Sequence, residues 1–242
     1  MSIVDWLKKL FNSDVNTPTK MKEVPPKVEE PSKIPEVKIP STPIQSMTLG
    51  LDLSHHNEKV EIMKLKGLGF VILKATEGSD YVDAKFASRW LGLKAIGVKR
   101  GAYHFYRTNK DPIEQAKHFL KKCEGLQEGD ILALDYETCD DPKIGIQTMN
   151  DLKSHKQDAI KFMSYIEQMT GIKPWFYTYH AVIKACDFGP EFAAYPLWYA
   201  RYTSVTPEDK QGPWVKWVAW QYADKGRLDG VSNDIDMNRF RG

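Results

Sequence analysis

The stretch ILALDYETCDD, residues 131–141, sends four apolar residues straight into two carboxylates spaced two apart, Asp135 and Glu137. Side chains alternate along a strand, so Ile131, Ala133, Asp135 and Glu137 share one face, and Leu132, Leu134 and Tyr136 share the other. The two carboxylates would then lie roughly 6–7 Å apart at Cα. Because they follow the apolar run, they sit at the C-terminal end of the strand, where barrel enzymes keep their chemistry.

Similar runs recur on both sides of it: LGLDL (49–53), FVILKAT (70–76), RGAYHFY (100–106), PWFYTY (174–179), YPLWYA (195–200), WVAWQY (217–222) and NDIDM (233–237). Helical periodicity falls near 58–67, 83–96, 111–124 and 150–170, with a shorter stretch from about His180. Strands each followed by a helix indicate βαβ units and a parallel sheet. Eight strands over about 190 residues predict an α/β fold built as a TIM-like barrel. The last strands lie too close together for full helices between them, so the barrel is expected to be incomplete, about (β/α)5β3, over residues 49–242.

Two segments precede it. IVDWLKKLF (3–11) has Ile3, Val4, Leu7, Leu10 and Phe11 at helical spacing, which predicts a short amphipathic helix within 1–14. Either it docks on a membrane surface or a delivery partner through residues 1–12, or it packs against the main domain. Residues 15–48 carry seven of the chain's 14 prolines among Lys, Glu, Ser and Thr. That composition blocks helix and cannot make a core, so a disordered linker is expected.

The bulk numbers exclude some classes. A net charge of +2 over 242 residues gives no basic face for nucleic acid. Cys123, Cys139 and Cys186 are an odd, scattered set without metal spacing, so free thiols are expected. No apolar run approaches the roughly 20 residues that span a bilayer. Asp5, Lys8 and Lys9 interrupt any signal-like segment, so synthesis in the cytoplasm without a cleavable signal is expected.

Taken alone, the pair Asp135 and Glu137 also fits a solvated acidic strand end. Other strands change that reading. Asp52 lies in the first run, and Asp234 and Asp236 in the last. In a closed barrel those strands are neighbours, so Asp52 and Asp236 are expected to face Asp135 and Glu137 across the mouth. Like charges are costly to bury. One carboxyl of such a set should hold a proton while another stays anionic, which is the division of labour that glycoside hydrolysis needs. His55 and His56 lack metal-ligand spacing, and neither metal nor cofactor is expected. Lys74 and Glu77 close the second strand, as a rim ion pair or as substrate contacts. Trp175, Tyr177, Tyr179, Trp198, Tyr199, Trp220 and Tyr222 are divided by alternation between core packing and the mouth.

Taken together, GLDLSHHN (50–57), FVILKATEGSDYVDAKF (70–86), KRGAYHFYR (99–107) with DPIEQAKHF (111–119), LALDYE (132–137), PWFYT (174–178), PLWYARY (196–202), AWQYAD (219–224) and DGVSNDIDMNRF (229–240) resemble glycoside hydrolase family 25, the Chalaropsis-type lysozymes. They occur in the family's order across the whole barrel. The resemblance implies a (β/α)5β3 barrel and N-acetylmuramidase activity on peptidoglycan glycan strands. It implies Glu137 as general acid, Asp135 as partner carboxylate, and Asp52 and Asp236 as the other acidic residues. It further implies Tyr103, Tyr177, Trp198 and Gln221 along the groove. The chain departs from the family at Asn57, where Gln is frequent. A monomer is expected, reaching the periplasmic or extracellular wall by release or non-standard export, as a phage endolysin or a bacterial lytic enzyme. A wall-binding barrel without catalysis and a glycosidase for chitin-like polymers are the alternatives.

Overall fold

The runs rich in Val, Ile, Tyr, Trp and Phe become strands because branched and aromatic side chains pack well on a pleated surface. The computed structural model describes residues 47–231 and 234–241, all within one compact unit spanning 42–242. The expected helix at 1–14 and nearly all of the expected linker at 15–48 lie outside the described residues. The linker expectation ran slightly too far, since Thr48 already opens the first strand.

The strands are β1 (Thr48–Leu53), β2 (Phe70–Glu77), β3 (Tyr81–Val82), β4 (Lys99–Phe105), β5 (Ile131–Asp135), β6 (Trp175–Tyr179), β7 (Leu197–Ala200), β8 (Trp217–Gly226) and β9 (Ile235–Phe240). Four α-helices stand among the described residues: α1 (Phe86–Ile96), α2 (Pro112–Lys122), α3 (Met149–Thr170) and α4 (His180–Cys186). Eight strands close a barrel in the order β1-β2-β4-β5-β6-β7-β8-β9, and β9 pairs back to β1. Strand β3 is a two-residue hairpin partner of β2 outside that ring. All pairings in the ring are parallel except the two made by β9, which runs antiparallel to both β8 and β1.

Alternation divides the apolar side chains into two cores. Phe70, Ile72, Ile131, Ala133, Tyr177, Trp198, Ala200 and Ala219 fill the barrel interior. Leu132, Leu134 and Tyr136 face the other way, packing with Phe119, Phe162 and Ile166 of the helices. Gly50 belongs to the interior set: a Cβ there would sit 2.2 Å from the Phe70 ring, so only glycine fits that layer. Helix boundaries follow local chemistry. Asp111 caps α2 by accepting from the Ile113 and Glu114 N–H groups, with Pro112 in the first turn. Thr148 and Asp151 form a reciprocal capping box at α3.

The helix expected at 58–67 is not formed. That segment holds only a three-residue 3-10 turn, Ile62–Lys64. Val60 bridges Val231, and the Glu61 N–H donates to Gly230 O at 2.9 Å. Those donors leave for another loop, and helical bonding cannot start. Asp234, expected within the last strand, precedes β9 and is exposed beside Arg227.

Candidate active site

Each parallel strand delivers its inward side chain at the C-terminal end of the barrel. Asp52 comes from β1, Lys74 from β2, Tyr103 from β4, Asp135 from β5, Tyr177 from β6, Trp198 from β7 and Gln221 from β8. Strand β9 runs the other way, so its beginning reaches the same mouth. Asp236 is the register partner of Asp52, and Asn238 follows two residues later on the same face. Strand β5 ends at Asp135, but the chain stays extended along β6: the Tyr136 N–H donates to Tyr177 O at 3.0 Å. Glu137 therefore keeps the alternation and projects into the mouth, half-buried.

Asp52 is the hub. Its Oδ2 accepts from Gln221 Nε2 at 2.9 Å and from Asn238 Nδ2 at 2.7 Å. Asn238 Oδ1 in turn accepts from Trp198 Nε1 at 2.7 Å. Gln221 Oε1 accepts from the Tyr177 hydroxyl at 2.9 Å and from Tyr202 at 3.0 Å. Every polar atom of the Gln221 and Asn238 amides named here is spent on holding Asp52 and the aromatic wall. Tyr177 packs edge-on against Trp198, with ring centroids 4.7 Å apart, and Tyr103 lies 6.3 Å from the same indole.

Burial raises all four carboxyls. Asp52 is pushed up to about 6, held back by its Gln221 and Asn238 donors. Asp236, hydrogen-bonded to Asp52, is pushed up to about 9 by burial and then by the neighbouring Asp52 charge. Glu137 is pushed up to about 7, again by burial and then Asp52, with the Lys74 ammonium opposing. Asp135 lies well above the carboxylate range because of burial and then the Glu137 charge. Its Oδ1 is buried and has no hydrogen-bond partner among the described residues. The site thus stores protons at neutral pH and holds one carboxyl oxygen waiting for a donor.

Lys74 and Glu77 form an ion pair, Nζ to Oε2 2.7 Å, and Glu77 Oε1 also accepts from Arg107 Nε at 2.8 Å. Residues three apart on a strand normally face opposite ways. Here Lys74 pairs with Tyr103 and Thr76 already with His104, so one extra residue is inserted at Ala75. That bulge turns Glu77 to the same side as Lys74. Beside the carboxylates lies a cavity of about 560 Å³ whose lining includes Lys74 and Glu77 but none of the four acids.

Asp52, Asp135, Glu137, Asp236, Lys74, Glu77, Tyr103, Tyr177, Trp198 and Gln221, all named from the sequence, are gathered at this mouth or its rim, whereas Asp234 is not. Asn238, Tyr202 and Arg107 were missed. Asn238 had a signal, since it shares the face of Asp236. Tyr202 lies on the loop after β7, where no periodicity applies. His104 is a core residue: fully buried and stacked on Phe162, its ring nitrogens bond Thr76 and Gln115.

Comparison with known proteins agrees with this geometry. The family model "Glycosyl hydrolases family 25" matches residues 51–231. The uncharacterized protein YegX of Escherichia coli K12 is 31% identical over 201 residues, 80% of this chain and 69% of its own length. Lysozyme M1 of Streptomyces globisporus is 27% identical over 80% of this chain and 67% of its own. The crystal structure of the bacterial lysozyme from Streptomyces coelicolor superposes with a TM-score of 0.70 at 28% identity, covering 81% of this chain and 92% of that one. With a match across most of the barrel and the acids of both ends converging on one mouth, the chain belongs to glycosyl hydrolase family 25.

Proposed function

We propose that the chain is an N-acetylmuramidase that hydrolyses the β-1,4 bond from N-acetylmuramic acid to N-acetylglucosamine in peptidoglycan, with Glu137 as the general acid. The observation that carries the assignment is the half-buried Glu137 carboxyl, raised to about 7 beside three further acids, so that it holds a transferable proton near neutral pH. Glu137 gives that proton to the leaving glycosidic oxygen. Positive charge grows at the anomeric carbon, and the acidic mouth centred on Asp52 stabilises it.

Asp135 has two candidate roles, direct nucleophile or orienting group. Its elevated pKa makes it a poor resting nucleophile, and its partnerless Oδ1 suits an N–H donor. The second role is therefore preferred. In this reading the 2-acetamido N–H of the substrate donates to Asp135 and the acetamido oxygen attacks the anomeric carbon. Water then opens the cyclic intermediate, with Glu137 taking its proton. Tyr103, Tyr177 and Trp198 form the wall against which the sugar lies, Gln221 and Asn238 hold Asp52, and Lys74 tempers the acids.

Helices after β2, β4, β5 and β6, with the 3-10 turn Ile62–Lys64 standing in for a helix after β1, support reading the barrel as the incomplete TIM-like (β/α)5β3 form. The barrel begins with Thr48 of β1 and works as a monomer on the cell wall. Residues 1–14 serve as a docking helix in delivery, and the residues between it and β1 as a linker.

The test is a digest of purified peptidoglycan by wild type and Glu137→Gln, followed by borohydride reduction and mass spectrometry of the new ends. Reduced muramic acid ends from wild type, absent with the variant, are expected. Reduced glucosamine ends would assign a different bond. Intact glycan in both, with folded protein pelleting with the wall, would make the barrel a binding module.

A further inference from the structure

The cavity beside the carboxylates has a lining that a glycan does not explain. Its walls come from His55 and His56 after β1, the β2–β3 turn, the loop after β4, the long loop 136–148 that joins β5 to α3, and Asp151 and His155 of α3 itself. That loop is pinned. Cys139 and Gln147 exchange backbone hydrogen bonds at 2.9 and 2.7 Å. The buried Gln147 amide donates to the backbone oxygens of Glu137 at 2.8 Å and Tyr106 at 2.9 Å. The part of the cavity wall formed by loop 136–148 is therefore tied by hydrogen bonds to the backbone of the acid residue. Lys74 joins the two spaces chemically, because it lines the cavity while its charge bears on Asp135 and Glu137.

The lining carries charges of both signs. Lys110 and Asp80 are exposed, and neither side chain makes a hydrogen bond or ion pair among the described residues. Asp141 adds a further carboxylate on the loop. Ile144 and Ile146, 55% and 66% exposed and two residues apart on the loop, add an apolar edge to the lining. The hydroxyls of a neutral glycan can hydrogen-bond these side chains, but only a ligand with charges of its own pairs them. Sugar rings also call for flat aromatic platforms, whereas Tyr81 is the sole Tyr, Trp or Phe in the lining. A short peptide with carboxylates, an ammonium group and small methyl side chains matches all three features. The volume lies within the roughly 300–1,000 Å³ usual for ligand pockets.

We propose that this cavity is a subsite for the peptide stem carried on the lactyl group of the muramic acid residue, making the chain selective for stem-bearing glycan. Lys110 faces a stem carboxylate, Asp80 and Asp141 face the ammonium of its diamino acid, and Ile144 and Ile146 cover alanyl methyls. The proposal rests on the muramidase reading.

The test compares intact peptidoglycan with the same material stripped of its stems by an amidase. Reducing ends are measured as a function of glycan concentration for wild type, for the double variant Asp80→Ala with Lys110→Ala, and for Ile146→Ser. All three positions are exposed, and thermal melting checks that each variant is folded. Wild type should have a KM on stem-bearing glycan about fivefold below that on stripped glycan, the scale of two partly exposed charge contacts. The variants should lose that difference through KM, with kcat kept and stripped glycan cut as by wild type. Equal KM values for wild type on both substrates overturn the stem subsite while leaving the muramidase standing. An equal loss on both substrates in the variants overturns it too, assigning these residues to the glycan itself. Wild type cutting neither substrate overturns the muramidase reading and the subsite together.

Discussion

Replacing Glu137 by Gln should stabilise the protein at alkaline pH while abolishing its activity. The carboxyl is pushed from its ordinary 4.5 to about 7 in the folded protein. The folded state therefore holds this proton more tightly than the unfolded chain, and stability is lost as pH rises from the unfolded value through the folded one. At about 1.4 kcal/mol for each tenfold in proton affinity, ionised Glu137 costs the fold about 3 kcal/mol by pH 8, under 1 kcal/mol at pH 5, and about nothing at pH 3. Gln has the same shape and no charge to desolvate. Urea denaturation of wild type and variant across pH 3–8 should give coincident stabilities at pH 3 that diverge to about 2–3 kcal/mol in favour of the variant at pH 8, allowing for coupling to Asp52. In melting temperature that is roughly 4–12 °C for a domain of this size. Activity on peptidoglycan should meanwhile fall by about 10²–10⁴-fold, the usual worth of a general acid. Equal stabilities at pH 8 would show that the Glu137 carboxylate is not strained by its surroundings. The acid assignment would then lose its electrostatic basis.

The same protonation sets the rate profile: kcat/KM of wild type should fall as pH climbs above about 7, and a flat profile to pH 9 would contradict a proton held on Glu137. Asn238→Ala strips a donor from Asp52 and leaves the buried Trp198 N–H unpaired, so a loss of about 2–4 kcal/mol in urea denaturation is expected; a loss under 0.5 kcal/mol would argue against the network. Gly50→Ala drives a methyl into the Phe70 ring and should cost about 1–3 kcal/mol or more, seen as a lowered melting temperature. Asp130→Ala breaks the buried fork that Asp130 makes with Arg100 Nε and Nη2 at 2.9 and 2.8 Å, and about 3–5 kcal/mol should be lost, since the guanidinium stays buried without its partner.

Much of this molecule was already legible in its sequence, because period-two alternation is local physics. A strand that points Ile131 and Ala133 inward must point Asp135 inward too, and an extended chain carries the rule one step further to Glu137. The same rule separated Leu132, Leu134 and Tyr136 for the helical layer. Motif order carried the family.

Other features were decided only by the tertiary structure, because they depend on which segment meets which. Closure alone predicts that Asp52 and Asp236 are neighbours, but the reversed direction of β9 sets them in register and admits Asn238 to the site. The extra residue at Ala75 moves Glu77 onto the face of Lys74, breaking the alternation that local reading assumes. Residues 58–67 have helical spacing, yet Val60 and Glu61 give their backbone to the loop at 230–231, whose position no local pattern encodes. Alternation says which way a side chain points. Closure of the barrel determines what it meets, and the raised proton affinity of four acids comes into being only when that closure removes their water.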